Sequence, residues 1–512
     1  MKIFKYLIPL NLLLLLNFSN IDPIVKIEGT TINGNYNNGV YSFLGVPFAL
    51  PPIGELRWQP PKPLNYEANS EINAKEFKSA CMQNNRIVNW YKRLVRDFGS
   101  NPSIFESPEF SEDCLYLNIW KPAISDQNLP VLVYIHGGSN KAGWSYEPNY
   151  HGDQIVKKDV VLVSIPYRLG VFGFFPHPDN QNPNLALLDQ ILALQWINKN
   201  ISNFNGDPKN ITIIGESSGA GSINHLLVSP KSKGLFQKAI HQSGGSTLSY
   251  PTDKTYETTL AIRFAEFLEE KFKIDNSIES FKGLSSRDIL DASEIVYKDH
   301  YYNYIDDGIT INEPVIDTIK NGKIHNIDLI IGSNNDEYSL YFGGIADVDG
   351  WLNAEVNNKQ KKELIKLLSN IDDPIRKLDL LITAKNFVCP SLLIAKTVNL
   401  SGGNSWVYQF NRVRDDPRAL KYGAFHGAEL PYVFNTHDEW LPTNKIDRKI
   451  TEQVQSFWVQ FSKTGDPNLQ ELEEKIWDPY NSQTNSTYII NEKSYSAPHP
   501  SYQICDIMEP SW

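Results

Sequence analysis

The 512-residue sequence has no obvious long apolar run after its first nineteen residues, and it has no internal repeat, low-complexity tract or Pro/Ser-rich linker. The missing apolar run predicts that the chain carries no membrane anchor beyond its leader. The missing linker predicts a single domain over residues 20–512. The last four residues, 509–512, form neither a retrieval signal nor an anchor tail.

Positive charge is also scarce, with 48 Lys and Arg against 59 Asp and Glu and a formal net charge of -11. Loss of Lys2 and Lys5 with the leader would take this charge to -13. An acidic surface of this kind argues against nucleic acid or an anionic membrane as the partner. The hydrophobic content of 41% is ordinary for a globular protein with a large core.

Residues 1–19 have the three parts of a secretory signal peptide. Lys2 and Lys5 make a basic start, residues 7–18 are mostly apolar, and Ser19 is small enough for cleavage nearby. We therefore expect a soluble mature protein in the secretory pathway, either secreted or in the lumen of a vesicle.

Cysteine is rare, and its four occurrences are Cys81, Cys114, Cys389 and Cys505. An oxidising compartment favours two disulfides, and the sequence alone permits three pairings. Chain order suggests a local pair, Cys81 with Cys114, and a second pair that joins Cys389 to the C-terminal segment at Cys505. Beyond the leader, four sequons predict surface glycosylation, at Asn200, Asn210, Asn399 and Asn485.

Apolar strand-like segments alternate with helical ones in the first half of the chain. The predicted strands are 130–135, 160–165, 211–214 and 238–241, and the predicted helices are 187–199 and 220–228. Such alternation predicts an α/β fold with a large, mostly parallel sheet covered by helices on both faces. In such sheets, sites form at the carboxyl ends of the strands.

The stretch from about residue 252 to residue 320 is charged, helical in texture and without strong strands. We interpret it as a helical insertion over the sheet. Segments 329–332 and 405–410 then predict further strands of the same sheet.

The segment 211–222 carries the most informative motif, because Gly215, Ser217 and Gly219 form a G-x-S-x-G between a predicted strand and a predicted helix. A sharp strand-to-helix turn projects its central side chain, and a Cβ two residues to either side would collide with the turn. The pattern therefore predicts that Ser217 is a nucleophile at a helix N-terminus.

A serine nucleophile requires a base, and the base requires an acid that orients it. His426 lies in a loop among small residues, which is typical of a ring that faces a cavity, although a loop histidine can also be merely exposed. The acid is expected after the strand 329–332, where spacing does not separate Asp336 from Glu337. His225 and His241 are equally well explained by packing.

An oxyanion hole is the other requirement of acyl transfer. His136-Gly137-Gly138 follows a predicted strand and resembles the glycine loop whose backbone N–H groups act with that of the residue after the nucleophile, here Ser218. A plain glycine turn would have the same appearance.

Taken together, these segments resemble the type-B carboxylesterase and cholinesterase-like family of α/β-hydrolases. The resemblance covers nearly the whole mature chain and rests on 43–49, 51–57, 111–118, 167–170, 187–190, 193–196, 204–208, 215–219, 335–337 and 426–427. It implies an α/β-hydrolase fold and a serine esterase activity that needs neither a metal nor a cofactor.

The resemblance also assigns roles to individual residues. It implies Ser217 as nucleophile, His426 as general base and Glu337, rather than Asp336, as orienting acid. The oxyanion donors would be the amides of Gly138, Ser139 and Ser218. The remaining implied pairs are structural: the disulfides Cys81–Cys114 and Cys389–Cys505, and the ion pairs Arg57–Glu112 and Arg168–Asp189.

The sequence departs from the family pattern beside the implied site. Ser139 replaces the third glycine of the oxyanion loop, which costs free energy if the position needs a glycine conformation. Asn140 replaces the aromatic that usually follows, and Ser218 replaces the usual alanine. Lys141 and the segment 104–105 stand where cholinesterases carry aromatic residues, so choline esters are not the expected substrate.

Two hypotheses follow. The first is a secreted serine esterase that hydrolyses small carboxylic esters through an acyl-enzyme. The second is a cholinesterase-like structural or storage glycoprotein with little or no activity, which the departures at Ser139 and Ser218 leave open.

Overall fold

The structure is a computed structural model that describes residues 22–125, 128–249, 253–298, 300–438, 440–469 and 476–509. The predicted leader, residues 1–19, lies outside these residues. The strands are β1 Ile24–Ile27, β2 Thr30–Asn33, β3 Asn35–Asn37, β4 Val40–Pro47, β5 Glu71–Asn73, β6 Ala80–Cys81, β7 Phe110–Ser111, β8 Tyr116–Pro122, β9 Leu129–Ile135, β10 Val161–Ile165, β11 Gly206–Glu216, β12 Lys238–Gln242, β13 Asp328–Asn334, β14 Ser405–Phe410, β15 Ser486–Ile490 and β16 Tyr495–Pro498.

Helices fill the intervals between most of these strands. They are α1 Arg86–Asp97, α2 Gly170–Gly173, α3 Leu185–Asn200, α4 Ser218–Leu226, α5 Ser246–Ser249, α6 Lys254–Phe272, α7 Ile278–Lys282, α8 Ser286–Val296, α9 Val315–Lys320, α10 Val348–Glu355, α11 Asn358–Leu367, α12 Pro374–Thr383, α13 Cys389–Leu400, α14 Leu430–Phe434, α15 Lys445–Thr464 and α16 Tyr502–Met508.

An 11-stranded sheet forms the centre of the molecule, in the order β16-β15-β14-β13-β12-β11-β9-β10-β8-β4-β3. The strands from β15 to β10 in this order are parallel, and antiparallel pairs occur only at the two sides of that block. Parallel neighbours end at one edge, so the segments after β9, β11, β13 and β14 come together there. The predicted mostly parallel α/β sheet is confirmed.

Both faces of this sheet are buried, because alternate side chains of each central strand contribute to different cores. In β9, Val131, Val133 and Ile135 belong to the core that includes α3 and α6, whereas Leu132 and Tyr134 belong to the core that includes α1 and α15. Helices therefore cover both faces, as the sequence predicts.

The predicted helical insertion is present as α6, α7, α8 and α9, and the described residues between 253 and 320 contain no strand. The expectation of no long apolar run after the leader is wrong. The helical run Pro374–Leu400 is long and apolar enough to cross a bilayer by length and composition alone. However, 83% of its apolar window is buried inside the protein, as in the core helix of a soluble domain.

Two disulfides and two buried ion pairs brace the fold as the resemblance implies. Cys81 bonds Cys114, and Cys389 bonds Cys505. The guanidinium of Arg57 donates to both carboxylate oxygens of Glu112, and that of Arg168 does the same with Asp189. Paired, hydrogen-bonded charges of this kind are tolerated in a core, where single charges are not.

The surface position expected for the sequons is wrong for Asn200. Its side chain is buried, and its Nδ2, the atom that would carry a sugar, donates to the Trp196 carbonyl oxygen at 3.0 Å. Asn210, Asn399 and Asn485 are half-buried. Of these, Asn399 also uses its Nδ2, which donates to the Tyr480 carbonyl oxygen.

Candidate active site

Ser217 lies at the turn between β11 and α4, with φ 55° and ψ -127°, a backbone conformation that is costly for a residue with a side chain. The flanking glycines are required by close approach. A Cβ on Gly215 would lie 2.5 Å from the Gly219 carbonyl carbon, and a Cβ on Gly219 would lie 2.1 Å from the Ile135 carbonyl oxygen. The turn therefore projects Ser217 from the carboxyl edge of the sheet, at the N-terminus of α4.

The structure brings Ser217, His426 and Glu337 together in one hydrogen-bonded row. Ser217 Oγ lies 2.8 Å from His426 Nε2, and Glu337 Oε2 lies 2.6 Å from His426 Nδ1. His426 reaches this position from the loop that follows β14, and Glu337 from the turn that follows β13. A carboxylate on Nδ1 holds the proton there and leaves Nε2 free to accept one from a hydroxyl.

Asp336, the other candidate acid, points away from His426. Its carboxylate accepts from the Ala424 N–H at 2.8 Å and contacts the Arg376 guanidinium. Asp336 therefore joins the turn after β13 to the loop that carries His426. Two adjacent residues in an irregular turn project in different directions, which is why spacing could not separate them.

Glu337 is fully buried, and its second carboxylate oxygen also accepts hydrogen bonds. Oε1 accepts from the Asn334 N–H at 2.7 Å and from Ser243 Oγ at 2.6 Å. These bonds fix the direction in which Oε2 points. The sequence pattern does not predict a role for Ser243, although this residue directly follows β12 and therefore lies at the same edge of the sheet.

Two further carboxylates, which the sequence pattern does not predict either, lie beside the row of Ser217, His426 and Glu337. Glu216 Oε1 is 3.3 Å from His426 Nε2. Glu429 is buried and accepts from Asn334 Nδ2 and Gln242 Nε2. Burial raises the pKa of both carboxyl groups.

The pKa of His426 reflects this surplus of acidic groups. Burial alone would lower the pKa, but the carboxylates of Glu216, Glu337 and Glu429 outweigh burial and raise it to about 9. The protonated imidazole that forms while a serine is being activated is therefore stabilised.

The loop after β9 brings the amides of Gly138 and Ser139 to the same edge. Gly138 has φ 112°, and a Cβ there would lie 2.0 Å from the Ala142 carbonyl oxygen, so only glycine fits. The amide of Ser218 belongs to the first turn of α4, where N–H groups have no intrahelical partner. These are the three amides that the sequence predicts as oxyanion donors.

Ser139 adopts φ 60°, and Asn140 adopts φ 57°. Ser139 therefore does occupy the left-handed conformation that favours glycine. We expect Ser139→Gly to raise the free energy of unfolding by ~0.5–1 kcal/mol, because glycine reaches this conformation without the Cβ clash. Urea unfolding measures the change. Ser139→Ala is the matched control that keeps the Cβ, and equal stabilisation by both variants would contradict the explanation.

Phe105 and Lys141, which stand where cholinesterases carry aromatic residues, both contact other groups of the protein. Phe105 is buried and stacks on Tyr91, with ring centroids 4.3 Å apart. Lys141 Nζ donates to the Tyr297 carbonyl oxygen and lies 5.7 Å from the centroid of the Tyr302 ring. Within the residues that the structure describes, no group of three or more His, Cys, Asp or Glu is arranged to hold a metal ion.

Phe387 and Tyr338 form an aromatic wall next to His426, and Phe387 comes from an irregular helical turn. Residues 384–388, between α12 and α13, are π-helical, and they place the Phe387 ring 5.4 Å from the His426 ring. Single π-helical turns are frequent at functional sites, because they reorient one or two side chains of a long helix. Tyr338 also contacts Phe387, which extends the wall from the acid-bearing turn.

A serine in a strained strand–turn–helix elbow, at the carboxyl edge of a mostly parallel sheet and next to a histidine–carboxylate pair, defines an α/β-hydrolase. The comparisons with known proteins narrow this class. The model of the carboxylesterase family matches residues 21–506, and the chain belongs to that family. It is a carboxylic-ester hydrolase.

The individual relatives agree. The chain is 32% identical to para-nitrobenzyl esterase of Bacillus subtilis, over 91% of this chain and 94% of that protein. It is 29% identical to mouse cholinesterase, over 89% of this chain and 80% of that protein. A solved structure of thermophilic PNB esterase superposes with a TM-score of 0.81 and 29% identity, and it covers 95% of this chain and 100% of that chain.

Proposed function

We propose that the protein is a secreted serine esterase in which Ser217, His426 and Glu337 act as the catalytic triad. The observation that carries the proposal is the continuous row of contacts at 2.8 Å and 2.6 Å from Ser217 through His426 to Glu337. Small-molecule carboxylic esters are the proposed substrates, and the similarity to para-nitrobenzyl esterase supports this proposal.

In the proposed reaction, Ser217 Oγ attacks the ester carbonyl carbon while His426 Nε2 accepts the hydroxyl proton. The negative charge that develops on the carbonyl oxygen faces the amides of Gly138, Ser139 and Ser218. His426 returns the proton to the departing alcohol, and an acyl-serine ester remains. Water activated by the same imidazole then hydrolyses the acyl-enzyme and releases the acid.

The proposed location follows from residues 1–19 and from the disulfides. Disulfides persist in the secretory route and are rare in the reducing cytosol, so the two bonded pairs support export. Among the sequons, we propose Asn210 and Asn485 as the sugar acceptors. Their side-chain contacts in the structure use Oδ1 and leave Nδ2, the atom that carries a sugar, outside those bonds.

The experiment that tests the proposal uses the purified secreted protein with p-nitrophenyl acetate and a fluorophosphonate probe. We expect ester hydrolysis, covalent labelling that is blocked by prior heating, and a labelled peptide that contains Ser217. A folded protein that neither hydrolyses the ester nor takes up the probe would contradict the proposal and favour a structural glycoprotein.

The pH dependence of the reaction provides a separate check. His426 must be uncharged to accept the Ser217 proton, and neighbouring carboxylates raise its pKa to about 9. Activity should therefore fall as pH decreases through a value above the ordinary histidine pKa of about 6.5. Glu216→Gln removes one of those carboxylates and should move this acid limb of kcat/KM to lower pH.

The matched control is Glu452→Gln, whose carboxylate forms a surface ion pair with Lys158. Its pH profile should coincide with that of the wild type. An acid limb in Glu216→Gln at the same pH as in the wild type, or at a higher pH, would show that Glu216 does not set the pKa of His426.

A further inference from the structure

A side-chain hydroxyl connects the two segments that would form the oxyanion hole. Ser218 Oγ accepts a hydrogen bond from the Asn140 N–H at 3.2 Å. Ser218 directly follows the nucleophile, and its own amide would face the oxyanion. Asn140 directly follows Ser139, whose amide would also face the oxyanion. The alanine that the family resemblance leads one to expect at 218 has no side-chain atom that could accept this bond.

Other polar groups of the oxyanion loop also form hydrogen bonds with the surrounding protein. Tyr167 Oη donates to the His136 carbonyl oxygen at 2.8 Å, and the Tyr167 ring stacks on the His136 ring. The Asn140 carbonyl oxygen accepts from the Gly170 N–H at 2.7 Å, and Asn140 Nδ2 donates to the Tyr302 carbonyl oxygen at 2.8 Å. The contact between the Asn140 N–H and Ser218 Oγ links this loop directly to the nucleophile elbow.

Such a link matters because the loop is strained where the link is made. Ser139 and Asn140 both have left-handed φ values, and neither is glycine. Residues with a Cβ persist in this conformation only when surrounding contacts hold them there. A loop with glycine at 139 would reach the same shape at lower cost and would depend less on an external contact.

We propose that Ser218 is a positioning residue of the oxyanion hole, and that its hydroxyl compensates for the serine at position 139 by holding the Asn140 amide. The two departures from the family pattern are then one coupled feature. Ser139 strains the loop, and Ser218 supplies the acceptor that keeps the Ser139 amide directed at the oxyanion. This inference rests on the proposed esterase mechanism.

The test is a double-mutant cycle of Ser218→Ala and Ser139→Gly, with p-nitrophenyl acetate as substrate. Complete removal of an oxyanion donor costs about 10²–10³ in kcat, so we expect Ser218→Ala, which only loosens one, to lower kcat by about tenfold. KM should change by less than about twofold, because the ground-state carbonyl gains little from these amides. In the Ser139→Gly background, the same Ser218→Ala change should lower kcat by less than about threefold.

The inhibition constant of a trifluoromethyl ketone is a further measurement. It should not change if the Ser218 hydroxyl has only a structural role. The ketone forms a tetrahedral adduct with the serine and requires the oxyanion hole, so its inhibition constant should rise in parallel with the loss of kcat/KM in Ser218→Ala. Ser222→Ala is the matched control. Ser222 lies one turn further along α4, and its buried hydroxyl contacts Gln190, Tyr304 and the Ser218 carbonyl oxygen. None of these contacts involves the Ser218 hydroxyl, so the loss of the Ser222 hydroxyl should leave kcat unchanged.

Each outcome decides the inference. An active wild type with an unchanged kcat in Ser218→Ala would overturn the positioning role alone. Equal losses of kcat on Ser218→Ala in the wild-type and Ser139→Gly backgrounds would overturn the compensation. A folded wild type without activity would overturn the proposed function and this inference with it, which distinguishes the two failures.

Discussion

Replacement of Ser217 by alanine is expected to lower kcat/KM for p-nitrophenyl acetate by about 10⁵-fold or more. The hydroxyl is the proposed bond-forming group, and it is the hydroxyl that lies 2.8 Å from His426 Nε2. Alanine keeps the Cβ and the left-handed backbone of Ser217, so the elbow should retain its shape. Initial-rate kinetics on freshly purified protein, with the background hydrolysis subtracted, measure the effect.

Loss of fluorophosphonate labelling should accompany this loss of activity, and the urea midpoint should stay close to that of the wild type. Ser222→Ala serves as the control here too, because it removes a buried hydroxyl from the same helix without touching the row of contacts. Residual hydrolysis in Ser217→Ala above about one hundredth of the wild-type rate would identify a different nucleophile.

Glu337→Gln has the second-largest expected effect, a loss of about 10⁴-fold in kcat. The amide that replaces the carboxylate can present N–H to His426 Nδ1, which favours the imidazole tautomer with its proton on Nε2. That tautomer cannot accept the Ser217 proton. The change is nearly isosteric, so the hydrogen bonds from Ser243 and the Asn334 amide are retained on the remaining oxygen.

Asp336→Asn is the matched control for Glu337→Gln, because the two carboxylates are adjacent and only one faces His426. We expect Asp336→Asn to lose less than about tenfold in kcat and to lower the free energy of unfolding, since it weakens the contact with Arg376. A larger kcat loss in Asp336→Asn than in Glu337→Gln would reverse the assignment of the acid.

The elbow could be predicted from the sequence because its determinants are local. The β-branched strand, the two glycines and the following helix lie within a short stretch of chain. Close backbone approach requires glycine at positions 215 and 219, and Ser217 between them has a positive φ. The positions of the predicted strands followed for the same reason, since a strand buried on both faces is a short, continuous apolar run.

The rest of the site depends on contacts between distant segments. His426 is 209 residues from Ser217 and 89 residues from Glu337, and nothing in the loop pattern alone distinguishes it from an exposed histidine. The family resemblance, rather than the residues themselves, selected it. Glu429 and Ser243 were missed because a buried polar residue has no periodic signature; only the packed sheet shows what each one contacts.

The two wrong predictions, on the apolar run Pro374–Leu400 and on the exposure of Asn200, also reflect contacts between distant segments. The run Pro374–Leu400 was not predicted because charged residues interrupt its apolar pattern. One of them, Asp379, accepts a hydrogen bond from the Tyr338 N–H inside the protein. Asn200 was expected at the surface because a sequon is a three-residue pattern. Whether its side chain faces solvent is decided by the packing of α3, which the pattern does not contain.

The Cys389–Cys505 disulfide has a consequence for the resistance of the enzyme to proteolysis. It closes a stretch of 116 residues that includes His426 and Glu429, while Ser217 and Glu337 lie on the N-terminal side of it. A protease that cuts the chain once within this stretch would leave both pieces covalently attached. The proposed general base, His426, would thus stay tethered to the half that carries the proposed nucleophile, Ser217. A nicked molecule would separate into two chains only after reduction.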